Sequence, residues 1–73
     1  MPQEIIEVPI TGKIISVEAK LGDSVQEGDV ICTIEAMKME NPIMAPVSGK
    51  VTDLKVKTGD VVSSGGVIAV IDY

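Results

Sequence analysis

The chain has no histidine, arginine, phenylalanine or tryptophan, and only one cysteine and one tyrosine. Without histidine there is no imidazole to serve as a general base, to activate a thiol or to join a zinc site. A single cysteine forms no intramolecular disulfide, and Cys32, inside Val30-Ile31-Cys32-Thr33-Ile34, reads as a small buried core residue. Six lysines against eleven acidic residues leave a net charge of -5, which repels a phosphate backbone, so no nucleic-acid partner is expected. Glu4 and Glu7 stand where a secretory signal needs a basic segment before an apolar stretch. No apolar run is long enough to cross a bilayer as a helix, so direct membrane insertion is not expected. A reducing, soluble compartment, the cytoplasm by default, is the expectation. With no nucleophile–base pair and no metal cluster in view, the chain is not expected to be an enzyme on its own.

What is present points to a sheet. The 73 residues suit one domain spanning 1–73. The hydrophobic content is 45%, mainly valine and isoleucine. Branched side chains pack well on a pleated surface and lose rotamer freedom in a helix, so the core is predicted to be all-β. No stretch of ten or more residues carries a helical apolar period.

The sequence is also written twice, at an offset of 37 residues. Pro9-Ile10-Thr11-Gly12-Lys13-Ile14 returns as Pro46-Val47-Ser48-Gly49-Lys50-Val51, and Lys20-Leu21-Gly22-Asp23 returns as Lys57-Thr58-Gly59-Asp60. Val25, Gly28 and Val30-Ile31 match Val62, Gly65 and Val67-Ile68. Between residues 9–34 and 46–71 there are 11 identities in 26 positions. Neither half, about 5–34 or 42–71, is large enough to bury its own apolar face, so the two should share one core about a pseudo-two-fold axis. A side-by-side stack is less suitable, because stacked repeats generally need three or more units.

Strands are predicted over 13–17 and 50–56, and the richest β runs, 29–34 and 67–71, should be central. Shorter strands over 4–8 and 41–45 complete the set. Gly22-Asp23 and Gly59-Asp60 mark sharp turns where glycine takes positive φ, and Val25 and Val62 are expected to pin the loops that follow to the core. Pro9 and Pro46, lacking an N–H, belong at strand ends or bulges.

One internal segment is not repeated: residues 35–39, in the hairpin 35–41 that joins the halves, and the position equivalent to Lys38 would be residue 75, past Tyr73. A two-fold therefore places Lys38 at one end of the domain and the termini at the other. An isolated surface lysine is ordinarily a solvated charge, but Met37 and Met39 on either side suit contact with a partner better than contact with water. Strand alternation would put both methionines on one side and Lys38 on the other.

At these residues the chain resembles the biotinyl domain family, the biotin carboxyl carrier domains of biotin-dependent carboxylases and decarboxylases. Its acceptor motif, Ala-Met-Lys-Met, stands here as Ala36-Met37-Lys38-Met39, with Glu35 before it and Ala45-Pro46 and Gly49 after it. The resemblance runs from about Ile6 to Ile71. It implies a flattened β-barrel or sandwich of two four-stranded antiparallel sheets with quasi-two-fold symmetry. It implies biotin joined covalently to Lys38 by a biotin protein ligase that recognises Ala36, Met37 and Met39. It further implies a carboxyl group shuttled between biotin carboxylase and carboxyltransferase or decarboxylase partners. The related lipoyl domains share the fold, but their lysine is usually preceded by Asp and followed by Ala; a lipoyl-type acyl carrier is the alternative. An unmodified protein-interaction module is a further one. The first repeat departs from the family in reading Val8-Pro9-Ile10-Thr11-Gly12. No room exists between Val17 and Asp29 for the protruding thumb of some acetyl-CoA carboxylase carriers, which favours a carrier of the pyruvate, oxaloacetate, propionyl-CoA or methylmalonyl-CoA type.

Overall fold

Alternating branched residues build eight strands in a computed structural model that describes residues 2–73. They are β1 (Gln3–Glu7), β2 (Gly12–Val17), β3 (Ser24–Val25), β4 (Val30–Ala36), β5 (Met39–Met44), β6 (Gly49–Leu54), β7 (Val61–Val62) and β8 (Val67–Asp72). They form two four-stranded antiparallel sheets, ordered β1-β8-β6-β3 and β5-β4-β2-β7. The sheets remain separate ladders, so the architecture is the sandwich of the two expected forms, with no closed barrel.

The 37-residue offset carries β1, β2, β3 and β4 onto β5, β6, β7 and β8, and this converts one sheet order into the other. The agreement extends to irregularities. The β2–β4 ladder slips between Ile14 and Ser16, and the β6–β8 ladder slips between Val51 and Asp53. The halves lock together through reciprocal bonds: the Ile14 amide donates to the Asp60 carbonyl at 2.7 Å, and the Val51 amide donates to the Asp23 carbonyl at 2.8 Å. Ser48 Oγ accepts from the Glu27 amide at 2.8 Å, and its equivalent, Thr11 Oγ1, accepts from the Ser64 amide at 3.1 Å.

The inward residues of both sheets meet in one core. Ile14, Ile31, Ile34, Val51, Ile68 and Ile71 are fully buried, and Cys32 lies among them as expected. β4 and β8 are interior strands, as their composition predicts. Val25 is buried and Val62 packs half-buried against the core, so each pins its loop. Gly22 and Gly59 take φ of 91° and 97° at the two sharp turns. Pro9 and Pro46 lie just beyond strand ends.

Several boundaries differ from expectation. Strand β6 stops at Leu54, the last residue paired with β8, and Val56 is buried beyond the strand end. Strands β3 and β7, two residues each, are edge strands anchored on β6 and β2, too short for alternation to reveal. The expected seven-residue hairpin 35–41 contracts to a two-residue turn, since Glu35 pairs with Glu40 and Ala36 with Met39. A carboxylate side chain in an outward position ends the apolar pattern without ending the ladder.

Chain direction then separates the ends. Strand β2 starts beside the hairpin, with Lys13 opposite Glu35, and the chain runs on to Gly22, whose amide donates to the Val51 carbonyl at 2.8 Å. That second end holds Lys50 opposite Asp72, and the Tyr73 amide bonded to the Pro2 carbonyl at 3.0 Å. Lys38 and the described terminal residues therefore cap opposite ends of a body 36 Å long and 18 by 17 Å across.

Candidate functional site

The turn at Met37-Lys38 is built from residues that would not choose it. Met37 has φ of 52° and Lys38 φ of 64°. Positive φ at both central residues of a two-residue hairpin defines the mirror-image turn whose twist matches the flanking strands, and Asn-Gly is its usual sequence. Among the described residues these are the only non-glycine residues with positive φ. Left-handed conformations of residues with a Cβ carry a cost that the surrounding structure must offset, and they concentrate where a side chain serves a function.

That offset is visible below the tip. Ala36 is buried and abuts Gly12 of β2. A Cβ on Gly12 would collide with the Glu35 carbonyl oxygen, come within 2.7 Å of Ile34 Cγ2 and lie 3.1 Å from Ala36 Cβ. The missing side chain lets β2 close directly against the base of the hairpin. Across it, the Asn41 side-chain amide donates to the Ile34 carbonyl at 3.4 Å and to the Met39 carbonyl at 3.3 Å. Sequence reasoning did not single out Asn41. Its signal was an amide placed three residues after the turn, where Asn commonly bonds nearby backbone.

Above this support the side chains project. Met37 is 84% and Met39 65% exposed, and Lys38 is exposed between them. Strand alternation does not pass through the tip as expected: Met37 and Lys38 are both turn residues, so the pleat ends at Ala36 and resumes at Met39. Neither methionine packs inward. Lys38 has no ion-pair partner among the described residues, where Lys55–Asp53 at 3.1 Å is the ion pair formed. The hairpin is thus a primary amine free to be acylated, with apolar sulfur-containing side chains beside it.

Among the described residues no group of His, Cys, Asp or Glu is placed to hold a metal ion, and no pocket opens. Cys32 is sealed in the core, and burial pushes its thiol up from 9.0 to about 11, away from the reactive thiolate. No helix is long and apolar enough to cross a membrane.

A rigid, pseudo-symmetric all-β body that offers one supported lysine on an exposed turn, with no enclosed site of its own, defines a class: the attachment domain that carries a group for other proteins. The chain belongs to the biotin/lipoyl family of biotin-requiring enzymes, whose model matches residues 4–71. It is 54% identical over 39 residues to the glutaconyl-CoA decarboxylase gamma subunit of Acidaminococcus fermentans, covering 53% of this chain and 27% of that one. It is 54% identical over 37 residues to the propionyl-CoA carboxylase alpha chain of Ruegeria pomeroyi, covering 51% and 5%. Urea carboxylase of Kluyveromyces lactis contains a structure that superposes with a TM-score of 0.89 at 39% identity, over 99% of this chain and 6% of that one. The domain is a biotin carboxyl carrier domain. It spans about a quarter or less of the length of these relatives.

Proposed function

We propose that Lys38 carries biotin through an amide at Nζ, and that the domain serves a coenzyme A-linked carboxylase or decarboxylase. The observation that carries this reading is the supported, exposed turn that holds Lys38 inside an intact Ala36-Met37-Lys38-Met39. The residues present fit the group: the amine is accessible and unpaired, and an amide there removes one positive charge from a position where no carboxylate depends on it. Biotin, when attached, supplies a ring nitrogen that accepts a carboxyl group at one enzyme site and releases it at another.

Lys38 Nζ, once neutral, attacks the carbonyl carbon of an activated biotinyl adenylate; the C–N bond forms, the C–O bond to phosphate breaks and AMP leaves. The proton passes to a base of the biotin protein ligase, since none of the described residues brings a base to Nζ. Ala36, Gly12 and Asn41 hold the turn so that the Lys38 backbone is presented in a fixed place. Met37 and Met39 offer polarizable contact area to the ligase. After attachment the body acts as a stiff base that raises the local concentration of the carried group at biotin carboxylase and carboxyltransferase or decarboxylase sites. The CoA-linked relatives support this choice of partners.

Intact-mass measurement after incubation with a biotin protein ligase, ATP and biotin tests the reading. One biotin per chain, lost in Lys38→Ala, is the expected result. No adduct, or an adduct that persists in Lys38→Ala, refutes it.

A further inference from the structure

The two-fold supplies an internal comparison between the end that carries Lys38 and the end that does not. Directly opposed residues in an antiparallel sheet share a face. One step below the turn, Glu40, Glu35, Lys13 and Val61 form a single outward row across β5, β4, β2 and β7. The equivalent row at the far end is Gln3, Asp72, Lys50 and Ser24, in the same register. Each row keeps an acid beside a lysine at its centre, which the shared fold accommodates at both ends.

The flanks differ. Where the far end has Gln3 and Ser24, the Lys38 end has Glu40 and Val61. Glu40 lies directly opposite Glu35, a like-charge pairing that weakens a sheet, and neither carboxylate has an ion-pair partner among the described residues. Val61 is 78% exposed, so its apolar side chain contributes little to the core. The first difference runs against the stability of the isolated domain and the second adds little to it, and both occur at the end that carries Lys38. A surface that is basic opposite Glu35 and Glu40 and apolar opposite Val61 would complement both.

We propose that this row is a docking strip for the ligase that modifies Lys38, with Val61 as its apolar anchor. The inference rests on the carrier reading above. The row is about two residues below the tip, or ~7 Å at ~3.3 Å per residue, a distance comparable with the reach of an unmodified lysine side chain. An enzyme that draws Nζ into its own active site must therefore bring its rim onto the row. Val61 is contributed by the second half of the chain, 23 positions after Lys38. It lies two strands from β4, ~10 Å to one side, so the strip extends recognition beyond the contiguous motif.

The test exchanges residues between equivalent positions, which the fold already tolerates. Val61→Ser, Glu40→Gln and the opposite-end control Ser24→Val are assayed as acceptors for a biotin protein ligase, with unfolding midpoints measured in parallel. Val61→Ser is expected to raise KM for the acceptor roughly tenfold, the lower end of the scale of burying one valine, with kcat and midpoint unchanged. Glu40→Gln should flatten the salt dependence of kcat/KM, and Ser24→Val should match the parent. An unchanged KM in Val61→Ser while the parent is biotinylated on Lys38 overturns the strip and leaves the carrier reading intact. Failure of the parent to accept biotin overturns the carrier reading instead. An equal KM rise in Ser24→Val also overturns the strip, because the effect would then be independent of position.

Discussion

Gly12 and Gly49 allow the support of the Lys38 turn to be separated from the stability of the fold. They are equivalent by the two-fold, and neither has room for a side chain: a Cβ on Gly49 would strike the Asp72 carbonyl oxygen and lie 2.8 Å from Ile71 Cγ2. In each case the obstruction is a neighbouring strand's backbone, which cannot rotate aside, so Gly12→Ala and Gly49→Ala should each cost about 2–3 kcal/mol, at the upper end of overpacking effects. At ~4–8 °C per kcal/mol for a domain of this size, either change lowers Tm by on the order of 10–20 °C. Their effects on modification should diverge. Gly12→Ala pushes β4 away directly beneath Ala36 and the turn, so biotin acceptance should fall even at a temperature where the variant is fully folded. Gly49→Ala displaces β8 at the opposite end and should leave acceptance unaltered. Denaturant titration with ligase kinetics at 10 °C reads both quantities. Equal losses of acceptance in the two variants, or parental stability in either, would refute the proposed support.

Lys38→Arg should fold with an unchanged midpoint and take up no biotin by mass, because a guanidinium stays protonated; a markedly lower midpoint would contradict the exposed placement. Alanine at Gly22 or Gly59 meets nothing within 4 Å, so its cost comes from φ of 91° or 97° alone. Roughly 1 kcal/mol or more should be lost in urea titrations, with acceptance spared, and no loss at either site would disprove the turn assignment. Cys32 should resist thiol reagents in the native state. Its folded thiol titrates near 11 against an ordinary 9.0, so between those values the unfolded chain binds fewer protons and stability falls as pH rises. The parent should show an extra decline on the order of 1 kcal/mol per pH unit relative to Cys32→Ala; parallel pH profiles would show that the thiol is not shielded.

Much of this was legible in the linear chain because repetition and alternation are properties of order. The offset that pairs Pro9-Ile10-Thr11-Gly12-Lys13 with Pro46-Val47-Ser48-Gly49-Lys50 foretold the two-fold and the isolation of residues 35–39. Val67-Ile68-Ala69-Val70-Ile71 announced an interior strand through composition alone. Strands β3 and β7 were not legible, because two residues contain no period. The tightness of the turn was hidden as well, since Glu35 and Glu40 look like loop residues until the ladder is seen to run through them. Asn41 escaped notice because its role depends on the Ile34 carbonyl across the hairpin.

By itself the sequence determined an all-β domain of two related halves and singled out Lys38 through a motif and a break in the repeat; both follow from local residue order. Tertiary structure alone decided that Met37 and Lys38 share a left-handed turn, that Gly12 must lack a side chain for β2 to close beneath them, and that Val61 joins Lys13, Glu35 and Glu40 in one row across the sheet. Those relations join residues distant in the chain, and they exist only once the strands have paired.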